Sequence, residues 1–171
     1  MATFFTMVGN LMTEITALVT SSGAGDAGKI VQTNGAGKID ETLFPAGIGA
    51  EVRTMPAFEA LTAGNLVNVF SDSGTLKARK ADASVASAGK RAVGFVKDNV
   101  SSGATATVYY GNVNDQLSGL TVGQVLFLSG TTAGGVTGTA PTTSGHIAQE
   151  IGIALSTTEA LIEIQKPIVR A

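Results

Sequence analysis

The chain has 171 residues, with 11 Lys and Arg against 13 Asp and Glu, a single His and no Cys. That length suits one domain, or one domain carrying an arm. The absence of Cys excludes disulfides, thiolate nucleophiles and Cys-ligated zinc, one His excludes a multi-His metal site, and a net charge of −2 lacks the footprint of a nucleic-acid binder.

Gly, Ala, Ser and Thr supply 79 residues, and Val, Ile, Leu, Met, Phe and Tyr supply 51, enough for one modest core and too apolar for disorder. No Lys or Arg precedes Lys29, so a secretory n-region is not expected. The apolar stretch from Phe4 to Val19 is too interrupted to span a bilayer.

Along the chain, Phe4, Val8, Leu11, Ile15 and Leu18 step by fours and threes, with Phe5 widening the same stripe. That spacing predicts an amphipathic helix, lying on its own domain or meeting another subunit or a larger partner. Residues 21–50 are glycine-rich, which forbids a long helix and weakens any strand. Gly-Lys-Ile occurs at 28–30 and again at 37–39 with Asn34-Gly35 between, which suggests two extended pieces around a turn. Ile30, Ile39, Leu43 and Phe44 are spread thinly along this arm, as in a strap laid on a surface.

From Leu61 the pattern is all-β. Strands are expected near 66–70, 75–79, 92–97 and 104–110, then near 124–128, 135–139, 147–155 and 160–165. The two sets match in sequence. LTAGNLVNVFSDSG from Leu61 aligns with LTVGQVLFLSGTTAGG from Leu120, and Gly94 aligns with Gly152. The expected fold is therefore mainly β: a compact barrel or sandwich of two duplicated four-stranded halves over 57–171, behind an arm at 1–56 made of the helix and the extended segment.

Few residues suggest chemistry. Gly23-Ala-Gly25-Asp-Ala-Gly28-Lys29 fits G-x-G-x-x-G and is one residue short of a P-loop, but Ile30 stands where Ser or Thr would hold magnesium, and IVQTNGAGKID cannot be the helix that follows. His146 opens an apolar strand, and Ser71, Ser73 and Ser129 lie in expected turns. Asp40 and Glu41 are adjacent rather than facing, and Glu159 and Glu163 read as outward strand residues. Lys77, Arg79, Lys80, Lys90 and Arg91 form the one basic density, either solubilising charge on an edge or an ionic contact with an acidic partner surface. No catalytic, metal or cofactor site is expected, and the chain reads as a non-enzyme.

GKIVQTNGAGKIDETLFPAGIG at 28–49 resembles a recurring segment in structural proteins of tailed bacteriophages. LTVGQVLFLSGTTAGGVTGTAPTTSGHIAQEIGIALSTTEALIEI at 120–164 is similar to the β-repeat of phage capsid decoration (cement) proteins and of some tail or head fibres. The matching positions include Gly123, Val125, Phe127, Gly134, Gly135, Pro141, Gly145, Gly152, Ala154 and Ile162. The resemblance implies a β-rich, often trimeric protein on the capsid exterior, fastening neighbouring major capsid subunits. Partners would be the major capsid protein and further copies of the chain, with no nucleic acid and no membrane. The arm residues Phe4, Phe5, Val8, Leu11, Ile15, Leu18, Ile30, Ile39, Leu43 and Phe44 are the expected contacts. A short head fibre or tail-associated trimer that adheres to the host surface is the alternative, but 171 residues leave little room for shaft and tip.

Overall fold

The computed structural model describes the chain apart from residues 1–2, 9–10, 36, 41–42, 45–50 and 85–89, and for 3–8 and 11–16 it describes the backbone alone. The chain is mainly β and divides into two compact units, Met1–Gly49 and Ala50–Ala171.

The first unit opens with β1 (Thr3–Val8) and β2 (Leu11–Thr16), which pair antiparallel. The helix expected here is not present. The register explains the misreading: Phe4 pairs with Ile15 and Val8 with Leu11, so positions four apart on one strand are mirrored by positions four apart on the other. Reading a mirrored spacing straight through yields steps of four, three and four, which imitate a helical stripe. The β-branched Thr and Ile residues favour the strand.

Leu18 then bridges Val31 in parallel: Leu18 N–H donates to the Ile30 carbonyl at 2.8 Å, and Gln32 N–H to the Leu18 carbonyl at 2.7 Å. The intervening chain folds through a single 3-10 turn at Ala24–Asp26. The turn expected at Asn34-Gly35 is closed by Asn34 N–H to the Lys38 carbonyl at 2.8 Å and Lys38 N–H to Asn34 Oδ1 at 3.0 Å. The Pro45–Gly49 part of the phage-like segment lies outside the described residues.

The second unit holds two five-stranded antiparallel sheets. The first contains β3 (Val52–Pro56), β4 (Leu66–Asp72), β5 (Thr75–Lys80), β6 (Gly94–Phe95) and β7 (Thr105–Tyr109), in the order β3-β7-β6-β4-β5. The second contains β8 (Asn112–Asn114), β9 (Val125–Leu128), β10 (Val136–Thr137), β12 (Glu150–Ala154) and β13 (Ala160–Ile162), in the order β8-β13-β12-β9-β10. β11 (Ile147–Ala148) pairs separately with β14 (Ile168–Val169).

Neither sheet closes into the expected barrel, and each has five strands rather than four. In the first sheet a lone bridge between Ala57 and Ala78, with Phe58 N–H bonding the Ala78 carbonyl at 2.7 Å, brings the continuation of β3 beside β5 without forming a ladder. Val52–Pro56, read from sequence as the end of the arm, pair with β7 along their whole length. The strand expected at 147–155 divides in two because its pairing partner changes: Ile147–Ala148 pair with β14, and Glu150–Ala154 pair with β9 and β13.

Alternation gives each face its role. Leu66 and Phe95 from the first sheet, with Ala81, Ala83 and Ala92, share one core with Leu126, Leu128, Ile151, Ala160 and Ile162 from the second. The opposite face of the first sheet has its own core, in which Val67, Ala78 and Val108 pack with Met55, Leu61 and Val96. Burying several such side chains at about 1.5–3 kcal/mol each is what holds short strands together.

Candidate interaction surfaces

The sequence-predicted contact residues lie in the first unit. Phe4, Phe5, Val8, Leu11 and Ile15 fall in β1 and β2, and their side chains lie outside the described part of the structure. Leu18 is half-buried beside Val31, and Leu43 is half-buried as well. Ile30, Ile39 and Phe44 are 40%, 50% and 44% exposed, so three large apolar side chains of the arm stand in water together with Val31.

The glycine-rich loop is closed on itself. Lys29 Nζ is 2.8 Å from Asp26 Oδ1, and Asp26 Oδ2 accepts the Ser22 N–H at 2.6 Å. The hydrogen bond from Lys29, then that from Ser22, holds the Asp26 carboxyl below its usual range. A carboxylate thus takes the lysine and a backbone donor that a phosphate would need in a nucleotide loop.

The basic density on the first sheet is built into an aromatic cluster. The β4–β5 register sets Phe70 opposite Lys77 and Asn68 opposite Arg79, which places these four residues on one face. Phe58 meets Phe70 edge to face with ring centroids 5.2 Å apart. The Arg79 guanidinium lies 4.1 Å from the Phe70 ring centroid, and its Nε donates to Asn68 Oδ1 at 2.9 Å. Buried Asn68 passes the constraint on, donating to the Arg91 carbonyl at 2.9 Å. Lys77 Nζ sits 5.9 Å from the Phe58 centroid and 2.7 Å from an Asp72 carboxylate oxygen. Arg79 is held flat on a ring, and Phe58 remains half exposed. Sequence reasoning found the cations on the same face but missed the rings. The period-2 count from Asn68 to Phe70 was the signal available.

An open groove of about 610 Å³ runs between Arg91–Val93 and Ile162–Pro167. Its floor is Gln149, whose Oε1 accepts the Ala92 N–H at 2.8 Å while Nε2 donates to the Ala92 and Gln165 carbonyls, each at 3.0 Å. The amide substitutes for one rung of a β-ladder. Its hydrogen-bonding capacity is spent on the fold.

Of the remaining candidates from sequence, Ser73 lies in a turn, Ser71 lies within β4 rather than in the expected turn, and Glu41 is outside the described residues. His146 lines a hollow of about 220 Å³ with Ser129, Thr131, Thr137 and Thr143. Ser129 Oγ accepts the Thr131 and Thr132 N–H groups at 3.2 and 3.0 Å, the bonding of a turn-forming serine rather than of an activated nucleophile. Among the described residues, no three His, Asp or Glu side chains are grouped to hold a metal ion, and no helix is long and apolar enough to cross a membrane. No family model, curated protein or solved structure matches this chain.

Proposed function

We propose that this chain is a structural protein of a tailed-phage virion, which decorates the capsid exterior as a homotrimer and fastens neighbouring major capsid subunits through residues 1–49. The observation that carries this reading is the arm. Ile30, Val31, Ile39 and Phe44 are exposed along a segment whose backbone is held by the Leu18–Val31 bridge and the Asn34–Lys38 turn. Apolar side chains presented in series on a strap with little core of its own suit a partner surface. Burial of four of them at about 1.5–3 kcal/mol each is offset by ordering costs of about 1–2 kcal/mol per residue, so avidity across three arms would set retention.

Internal duplication belongs to the same proposal. In both sheets the first strand in sequence pairs with the fifth, the fifth with the fourth, the fourth with the second and the second with the third. The turns entering β4 and β9 share their bonds. Asn65 N–H reaches the Thr62 carbonyl at 2.9 Å and Gln124 N–H the Thr121 carbonyl at 3.0 Å. Gly64 N–H bonds Val96 and Gly123 N–H bonds Ala154, both at 2.8 Å. Shared order and shared turns support two copies of one five-stranded unit.

The test is addition of purified protein to capsids stripped of decoration, followed by pelleting and by challenge with heat. The full chain should co-sediment and raise the temperature at which capsids release their contents. A chain bearing Ile30→Asp, Ile39→Asp and Phe44→Asp should stay folded and lose co-sedimentation. Equal binding by that variant moves the attachment surface off the arm. No binding by the full chain to any phage capsid removes the decoration reading.

A further inference from the structure

The two sheets place equivalent rows of side chains in opposite environments. In the first sheet, Leu66 pairs with Phe95, Phe95 with Tyr109, and Tyr109 with Val52. In the second, Val125 pairs with Ile153, Ile153 with Leu161, and Leu161 with Val113. Each row crosses four strands at the same places in the shared strand order. Leu66 and Phe95 are wholly buried against the second sheet, with Tyr109 packed beside them. Val125 and Ile153 are 41% and 37% exposed, and Leu155 and Val122 extend the open apolar face. The first sheet's row is covered by the second sheet, while Val125 and Ile153 of the second sheet's row stand exposed among the described residues.

Charge indicates what covers it. Residues 51–110 carry seven Lys and Arg against five Asp and Glu, whereas residues 111–165 carry four Asp and Glu and no Lys or Arg. Three of those carboxylates flank the row: Glu159 and Glu163 stand two residues either side of Leu161, just outside β13, and Glu150 stands opposite Phe127. This is an apolar centre inside an acidic rim, the layout of a protein interface. The matching surface on the same chain is the face of Phe58, Phe70, Lys77 and Arg79, a half-exposed ring beside two cations, of which Lys77 is paired with Asp72 and Arg79 bonds Asn68.

We infer that the outer face of the second sheet, centred on Val125, Ile153 and Leu161, docks on the Phe58–Lys77–Arg79 face of a second copy of this chain. Such a contact joins two different patches, so it is head-to-tail and continues until a ring closes. Complementary charge fixes its register and suppresses the face-to-face alternative, in which Glu159 and Glu163 would meet their own copies. The inference rests on the homotrimer part of the proposed function and is independent of the capsid.

Sedimentation equilibrium of the full chain at low and high salt, with circular dichroism as a check on folding, tests it. The native chain should associate at micromolar concentration and dissociate as salt rises. Ile153→Asp should weaken association about tenfold or more. Should that variant unfold, the exposed charges decide: Glu159→Lys with Glu163→Lys should weaken association about tenfold, and adding Lys77→Glu with Arg79→Glu to the same chain should restore it. Association that survives both the Ile153 change and the charge reversal overturns the assigned surface and leaves the homotrimer standing. A native chain that remains monomeric throughout overturns both. Capsid binding, measured separately, is unaffected by either result in what it says of the arm.

Discussion

The two five-stranded sheets share one strand order but not one environment. The first has a core on each face: one is shared with the second sheet, beyond which Lys77 and Arg79 lie on the same face, and the other is its own. The second is apolar inward and carries an exposed row outward. Equal topology therefore does not give equal burial. A sheet with two covered faces must hold its edge strands to keep both cores closed, while a sheet with one covered face can lose outward residues cheaply.

Truncation breaks the comparison hardest. A chain beginning at Glu51 keeps β3 and should fold. One beginning at Ala57 loses β3, leaves β7 as an edge and removes Met55, which is buried in the first sheet's own core. Loss of a buried Met side chain alone costs about 2–5 kcal/mol, and the unpaired edge adds to it. Urea melts of the two truncations should differ by at least that much; equal midpoints would mean that β3 contributes nothing to the first sheet.

Next come the paired glycines. A Cβ on Gly94 would strike the Tyr109 carbonyl oxygen, and one on Gly152 the Leu161 carbonyl oxygen, each on the neighbouring strand. Overpacking at Gly94→Ala should cost about 1–3 kcal/mol. Gly152 also has φ of 149°, so Gly152→Ala adds backbone strain of about 1–3 kcal/mol. Thermal melts should rank Gly152→Ala below Gly94→Ala. A tolerated Gly94→Ala would remove one of the points at which the two sheets correspond.

Gln149 acts where the sheets meet. Gln149→Ala strips partners from the buried Ala92 N–H and carbonyl, at about 1–3 kcal/mol for each group left unsatisfied. Gln149→Glu should be the least stable of the three at neutral pH, because a buried carboxylate still accepts from Ala92 N–H but sets its charge against two carbonyl oxygens to which it cannot donate. Chemical denaturation of the three proteins gives the ranking, and an unchanged Gln149→Ala would mean that water replaces the amide.

All eight strands expected from alternation are present within a few residues, because a period of two between Gly-containing turns is a local property. β14, two residues long, was not expected either, and β3 and β8 escaped notice because neither has a clear local pattern. Val52–Pro56 ends in Pro, and Asn112–Asn114 has a single apolar residue, so both exist by pairing with distant β7 and β13. The hairpin at Thr3–Thr16 was misread because its mirrored pairing has helical spacing when read in one direction. Cations were legible at Lys77 and Arg79, but the ring of Phe58 reaches them only because the chain after β3 runs beside β5, a non-local fact. The exposed row on the second sheet could not be separated from core residues by composition. Val125 and Leu126 look alike in sequence, and only the register decides which faces water.

The smallest expected effect concerns the link from the end of β6 to the end of β8. Lys97 Nζ is 3.2 Å from Asp115 Oδ1 and also lies 5.6 Å from the Tyr109 ring centroid. A hydrogen bond from the Gln116 side chain, and secondarily from Lys97, holds the Asp115 carboxyl below its ordinary 3.8. Because the folded value is the lower one, the ionised carboxylate favours the folded state above the ordinary pKa. That contribution declines as pH falls through the ordinary value and toward the lowered one. Both partners are substantially exposed, so solvent screens the pair and its contribution stays below about 1 kcal/mol. Asp115→Asn should therefore lower stability slightly at pH 7, with the deficit shrinking in 1 M salt and vanishing below the lowered pKa. A deficit that persists unchanged in acid would assign the effect to the side chain's hydrogen bonding rather than to its charge, since Asn also replaces one acceptor oxygen with a donor.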